Sequence, residues 1–306
     1  MRVFGDQLAA VRWEFLAIAL GFFFIRIIFR AYAWRTILCA SYPDVSIRFR
    51  SVFGSYLAGV GVNSIVPARA GDAVKLYLVK HRIEGSTYAT LTPTLVAETV
   101  LDMFVAGTLI GWALAIGALP THQVYSRLPS VDWGFFVKQA KWTEIGLAVV
   151  VGALVIALVA FIEHGGDARE RVMRGFAIIH HPRRLVTGVV VPQAFSWVFR
   201  IATVYYFLLA FRVHASIHNS LLALVVDSLS TLFPATPGGA GTKQGLIVFL
   251  FHGEAINKSL LLAFSVGMNI AVVLFSVILG GFAMFMMART ISWRRLRHAD
   301  VQEQEA

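Results

Sequence analysis

Asn63-Ser64-Ile65-Val66-Pro67-Ala68-Arg69-Ala70-Gly71-Asp72 interrupts an apolar stretch that would otherwise read as membrane helix. Pro237-Gly238-Gly239-Ala240-Gly241-Thr242 interrupts a second one, 170 positions further along. Proline ends a helix because it lacks an amide donor and clashes with the preceding turn. Glycine then permits close backbone approach or a positive φ. Paired breaks at corresponding positions of two halves point to the binding site of a membrane carrier.

The same offset holds outward from the breaks without a gap. Phe29-Arg30 falls on Phe199-Arg200, Ile47 on Ile217, Leu76 on Leu246, Leu91 on Leu261, Val96 on Val266 and Gly111 on Gly281. The rare letters carry the weight, because apolar positions match by chance while a membrane arginine and a helix-breaking proline seldom do.

Apolar residues make up 58% of the chain and charged ones 14%, which places it among membrane proteins. Runs over 15–28, 95–119, 145–161 and 259–287 approach or exceed the ~20 apolar residues that cross the hydrocarbon layer. The runs are continuous rather than alternating, which excludes a barrel. The expected fold is an all-α polytopic membrane protein with two inverted repeats. Each repeat carries a Pro/Gly-broken re-entrant hairpin, and one transmembrane helix joins them. A single membrane domain is expected over 1–290, with repeat 1 at about 11–119, the linking helix at about 143–162 and repeat 2 at about 185–288. A charged loop is expected over 163–184, and a basic-then-acidic cytoplasmic tail over 291–306.

The inversion follows from counting crossings. If each broken element leaves on the side it entered, each half crosses twice and the linking helix once. The second half then starts from the opposite side. Charge sets the orientation. Arg35, Arg48, Arg50, Lys80, Arg82, the arginines of 169–184 and the tail collect on one side, and Arg2, Arg12, Arg127, Lys138, Lys141, Arg212 and Lys258 on the other. The richer side is expected to be cytoplasmic. The competing parity has 51–66 spanning outright. Its Gly54, Gly59, Gly61, Ser55, Asn63 and Ser64 argue instead for a segment packed inside protein or lining a wet cavity.

The net charge of +10 is assigned to cytoplasmic loops and anionic headgroups rather than to nucleic acid, for which no module is visible. One cysteine, Cys39, excludes an internal disulfide and a cysteine-based zinc cluster. No cofactor is expected. No cleavable signal peptide is expected, because the first apolar run is long and carries two arginines.

Ionisable residues inside spans are costly and must face protein or water. Glu98 and Asp102 share one helix face, as do Arg26 and Arg30. Arg200 lies mid-span and Asp227 in the sixth membrane element. At the first break, Arg69 would grip phosphate bidentately and Lys75 would add a point charge, beside Asn63 and Asp72. The restarting helix would offer free amides to an anion. At the second break, Gly238, Gly239 and Gly241 expose amides next to Thr242 and Lys243. Opposite charges are expected to pair, with the carboxylate face meeting Arg30, Arg69 or Arg200. The competing reading is a static ion pair that fixes helix packing. Arg26 is ranked lower as a snorkelling candidate. The tryptophans are read mostly as interfacial anchors.

At these residues the chain resembles the flippase-like membrane family that includes the transmembrane part of lysylphosphatidylglycerol synthetase/flippases. The matching pieces are Arg30-Ala31-Tyr32-Ala33-Trp34-Arg35, the 63–72 stretch with Lys75, Glu98-Thr99-Val100-Leu101-Asp102, and Pro237-Gly238-Gly239-Ala240-Gly241. Gln244 stands where the family usually has an acid and Lys75 where it often has arginine, and the family usually begins with one more membrane helix than is read in this sequence. The resemblance implies translocation or binding of an anionic, aminoacylated or polyprenyl-linked lipid between leaflets, in the cytoplasmic membrane of a prokaryote. It does not imply lipid synthesis, which in the family belongs to a separate soluble domain, so the chain is not expected to be an enzyme. The expected partners are membrane lipids, with a lipid-modifying enzyme as a candidate. An integral-membrane enzyme acting on a lipid-linked substrate and a non-transporting partner of a lipid-modifying complex are the alternatives.

Overall fold

The computed structural model describes residues 11–66, 69–115, 166–232, 243, 244, 247 and 258–304. The linking helix expected at 143–162 and the break residues Pro67, Gly238, Gly239, Gly241 and Thr242 lie outside them. The described elements are helical, with no strand among them. They are α1 (Trp13–Ser41), α2 (Phe49–Ile65), α3 (Ala70–Lys80), α4 (Tyr88–Ala115), α5 (Gly166–Gly175), α6 (Pro182–Ala210), α7 (Ile217–Leu232) and α8 (Lys258–Gln304). Four of them, α1, α4, α6 and α8, have stretches long and apolar enough to cross a membrane. The chain is a multi-pass α-helical membrane protein.

Local chemistry sets the ends. Tyr42, which follows α1, leaves the helical region because Pro43 comes next. Val66, which follows α2, is extended at φ −97° and ψ 125° for the same reason, standing before Pro67. Inside α6, residues 186–190 form a π-turn. Pro192 has no amide to give to the carbonyl of Gly188, and a widened turn upstream accommodates the missing bond.

Of the 163–184 segment expected as a loop, the described part, 166–184, is largely helical. Arg174 and Glu170 pair at 2.8 Å across one turn of α5, and Ala177–His180 forms a 3₁₀ turn. Gly175 packs where a side chain would overlap Pro93 of α4. The tail is likewise helical to Gln304, because no proline or glycine follows Gly281 to end α8.

Helix directions follow from the contacts. Along α1, Phe15 meets Tyr206, Phe22 meets Phe199 and Tyr206, and Phe29 stacks between Phe195 and Phe199 at about 5.5 Å. Thr36 lies against Gly188, and the Arg12 amide donates to the Ala210 carbonyl at 3.0 Å. Numbers rise in α1 as they fall in α6, so these two helices run antiparallel. They occupy equivalent places in the two halves by the 170-residue offset. The same offset sets α2 on α7 and α4 on the start of α8, each within about two residues. α4 is antiparallel to α1, since Arg30 meets Asp102 and Trp34 meets Thr94.

α2 and α8 also run antiparallel and touch through glycine. A Cβ on Gly61 would lie 2.8 Å from the Gly280 Cα, and one on Gly280 would lie 2.7 Å from the Gly61 Cα. Both obstacles are backbone and cannot swing aside. Gly61→Val should therefore force the helices apart and cost about 1–3 kcal/mol, read as a lower unfolding temperature in detergent. Gly21→Ala, at a position where a Cβ meets nothing within 4 Å, is the control and should not lower that temperature.

Two apolar clusters surround these contacts. One joins the start of α1 to the end of α6, α7 and the start of α8, around Phe207, Leu208 and Phe264. The other joins the end of α1 to α2, α3, the start of α4 and the middle of α8, around Trp34, Leu38 and Leu91.

Candidate functional site

The hairpin of α2 and α3 closes through Gly59 and Gly71. A Cβ on Gly71 would overlap the Gly59 carbonyl and lie 2.7 Å from the Asn63 Cγ, and a Cβ on Gly59 would overlap the Lys75 stem. Asn63 locks the hairpin. Its Oδ1 accepts from the Gly71 amide at 2.7 Å, and its Nδ2 donates to Asp72 at 3.5 Å. The Gly71 amide is thus taken by Asn63 and is not open to an anion. The left-handed φ at this break belongs to Arg69, at 57°, and Gly71 serves close approach.

This closure delivers Lys75 to the interior. It is 6% exposed, with Nζ 3.1 Å from Asp72 and 4.0 Å from Glu98. Its ammonium sits 4.3 Å from the Tyr56 ring centroid and 5.5 Å from that of Trp34. A desolvated cation on two aromatic faces is worth about 2 kcal/mol or more for the better contact.

Glu98 is the hub and is 2% exposed. Its Oε1 accepts from Arg30 Nη2 at 2.9 Å and from the Tyr56 hydroxyl at 3.1 Å. The other edge of Arg30 reaches Asp102 Oδ2 at 3.1 Å, so one guanidinium spans both carboxylates. Gln193 donates to the Glu98 carbonyl at 3.0 Å, and Trp197 donates to Asp102 Oδ1 at 3.1 Å.

A second cluster lies in the other half. Arg200 reaches Asp227 Oδ2 at 2.9 Å, and Lys243 reaches Asp227 Oδ1 at 2.6 Å. Trp197 joins the clusters, because its ring lies under the Arg200 guanidinium at 4.5 Å while its indole N–H holds Asp102.

The structure therefore brings together Arg30, Lys75, Asp72, Glu98 and Asp102, and separately Arg200, Asp227 and Lys243. Arg69 stays exposed at the start of α3, with no carboxylate partner among the described residues. Arg200 takes Asp227 rather than the Glu98 face. Gly238, Gly239 and Gly241 lie outside the described residues. Among the described residues no three His, Cys, Asp or Glu side chains group as metal ligands.

Sequence reasoning missed Tyr56, Gln193, Trp34 and Trp197 as members of this network. Trp34 is fully buried and donates to Thr94 at 3.1 Å, so neither it nor Trp197 is an interfacial anchor. The signal was present as spacing. Gln193, Trp197 and Arg200 recur at i, i+4 and i+7, as do Arg26, Arg30 and Trp34 at four-residue steps, and such residues share a helix face.

The family model described as lysylphosphatidylglycerol synthase TM region matches residues 1–280. The chain is 22% identical over 232 residues to the UPF0104 membrane protein MJ1078 of Methanocaldococcus jannaschii, covering 73% of this chain and 92% of that protein. No solved structure matches the chain.

Proposed function

Because the chain belongs to the lysylphosphatidylglycerol synthase transmembrane-region family, we propose that it is a flippase-like carrier that binds a lipid headgroup among its buried ion pairs and moves it between leaflets. One observation carries the reading. Charged side chains from both halves meet inside a bundle of membrane spans, and Trp197 links the two groups. A fold held only by packing has no need of such charges, since buried ion pairs are often matched or bettered by apolar residues of similar volume. Charges at this depth mark substrate pathways. An arginine held by a carboxylate can exchange it for phosphate, and the freed carboxylate keeps a second cation. Asp227 is arranged this way between Arg200 and Lys243.

We read the two halves as an inverted repeat, which fits the same function. Antiparallel α1 and α6 at equivalent positions are what a two-fold axis in the membrane plane requires, and carriers of this symmetry alternate access around a midplane site. The two broken elements are re-entrant hairpins in this scheme, and the arginine-rich end is cytoplasmic, in the cytoplasmic membrane of a prokaryote. The cargo is an anionic, aminoacylated or polyprenyl-linked lipid, and a lipid-modifying enzyme is its natural supplier.

The test is transport. Protein reconstituted in vesicles containing acyl-NBD phosphatidylglycerol should make inner-leaflet label accessible to dithionite faster than empty vesicles do. Arg200→Ala should slow this about tenfold or more, the scale of one lost charge-assisted contact. Equal rates in protein-containing and empty vesicles, for this lipid and for aminoacylated and polyprenyl-linked analogues, would end the transport reading.

A further inference from the structure

Arg26 is a mid-span cation outside the ion pairs among the described residues. It has thirteen helical residues before it in α1 and fifteen after it. At ~1.5 Å per residue this puts about 20 Å of helix on either side, too far for the side chain to snorkel out. The snorkelling expected from sequence does not fit this placement. The side chain is half-buried, and its guanidinium lies 5.9 Å from the Phe23 ring. It has no carboxylate within ion-pair distance among the described residues. Phe22 and Phe29, which flank it along α1, both pack on Phe199, the residue before Arg200.

The balance around it is uneven. Among the described residues, Arg26 and the two ion-pair clusters together hold five cations (Arg26, Arg30, Lys75, Arg200 and Lys243) and four carboxylates (Asp72, Glu98, Asp102 and Asp227). Each carboxylate already holds a cation. Asp72 has Lys75, Glu98 and Asp102 share Arg30, and Asp227 has both Arg200 and Lys243. The surplus positive charge lies at the Arg26 and Arg200 end, where two cations share one carboxylate and a third has none. An isolated charge in a membrane interior is costly and is kept for a partner that comes and goes.

We infer that Arg26, beside Arg200, is the phosphate-binding pole of the internal site, and that the site takes a phosphodiester lipid whose headgroup carries a net charge of −1. A phosphodiester supplies one negative charge, which closes the balance. A guanidinium offers it two parallel donors. A headgroup with an added ammonium would restore the surplus, so the site disfavours zwitterionic and aminoacylated headgroups. This inference rests on the lipid-carrier reading and narrows its cargo.

The experiment uses the full chain in detergent micelles with acyl-NBD phosphatidylglycerol as the bound probe, read by energy transfer from tryptophan. Unlabelled phosphatidylglycerol, phosphatidylethanolamine and inorganic phosphate serve as competitors. Phosphatidylglycerol should displace the probe at least about tenfold better than phosphatidylethanolamine, and inorganic phosphate should fail at matching concentration. Arg26→Gln should weaken phosphatidylglycerol binding about tenfold and erase the preference, while Arg26→Lys keeps most of both. Arg26→Gln should also leave the unfolding temperature unchanged or raised, because it removes an unpaired charge. A purely structural arginine would lower it.

Wild-type binding of phosphatidylethanolamine equal to phosphatidylglycerol would overturn the charge argument. An Arg26→Gln protein that binds and discriminates as wild type does would overturn the assignment of Arg26. Displacement by inorganic phosphate as effective as by lipid would overturn the lipid part. Intact, Arg26-dependent selectivity in a protein that moves no lipid in vesicles would sink the transport reading alone and leave this site standing.

Discussion

Glu98→Ala should destabilise the protein by about 3–5 kcal/mol, the cost of removing one partner from a buried ion pair. The effect is large because Glu98 answers three groups. Arg30 would keep only Asp102, Lys75 only the half-buried Asp72, and the Tyr56 hydroxyl would lose its acceptor. Thermal unfolding in detergent measures it. Glu98→Gln should recover part of the loss, because an amide oxygen still accepts from Tyr56, but it cannot neutralise Arg30. The pairing itself is tested with Arg30→Met and the double variant. If the two residues act through each other, the double variant should be less unstable than the sum of the singles by about 0.5–3 kcal/mol. Additive losses would show that Glu98 and Arg30 stabilise the fold separately.

Gly71→Ala is the second large effect, and its sign is set by a contest. Alanine is the better helix former by about 1 kcal/mol. Against this, its methyl group would occupy the space of the Gly59 carbonyl oxygen and press on Asn63. Backbone cannot yield as a side-chain tip can, so overlap wins and the hairpin must open, at about 1–3 kcal/mol net of the helix gain. Opening it withdraws Lys75 from Glu98 and from the Tyr56 ring. The expected readout is a lower unfolding temperature together with slower lipid movement in the vesicle assay. Gly85→Asn, at a left-handed turn with open space around it, should change neither. A Gly71→Ala protein with wild-type stability and transport would show that α2 and α3 do not close as described.

These two residues also show what was legible beforehand. Glu98 stood out in the sequence because a carboxylate in an apolar run is rare, and Gly71 because it follows a proline break. Their partners were less visible. Arg69 looked the better phosphate ligand by proximity to the break, yet it starts α3 at φ 57° and stays exposed, outside the buried ion pairs. Trp34 and Trp197 read as interfacial anchors by residue type, and instead hold Thr94 and Asp102. Arg26 ranked below Arg30 from its place in the run, although the four-residue spacing put both on one face.

What the sequence determined by itself was the membrane class, the all-α content, the 170-residue correspondence of helices and the places where helices stop. Those properties are local. Transfer of a side chain to hydrocarbon, the missing amide of proline and the freedom of glycine act within a few residues of where they are written. Only the tertiary structure decided which cation meets which carboxylate, and so which one is left without. Residues 30 and 98, or 200 and 227, are joined by how helices cross and rotate, which depends on contacts such as Gly61 with Gly280 and Phe29 with Phe199. A shift of one residue in either helix face would turn a guanidinium by about 100° about its axis and give it a different partner, so the pairing is a property of the packed bundle.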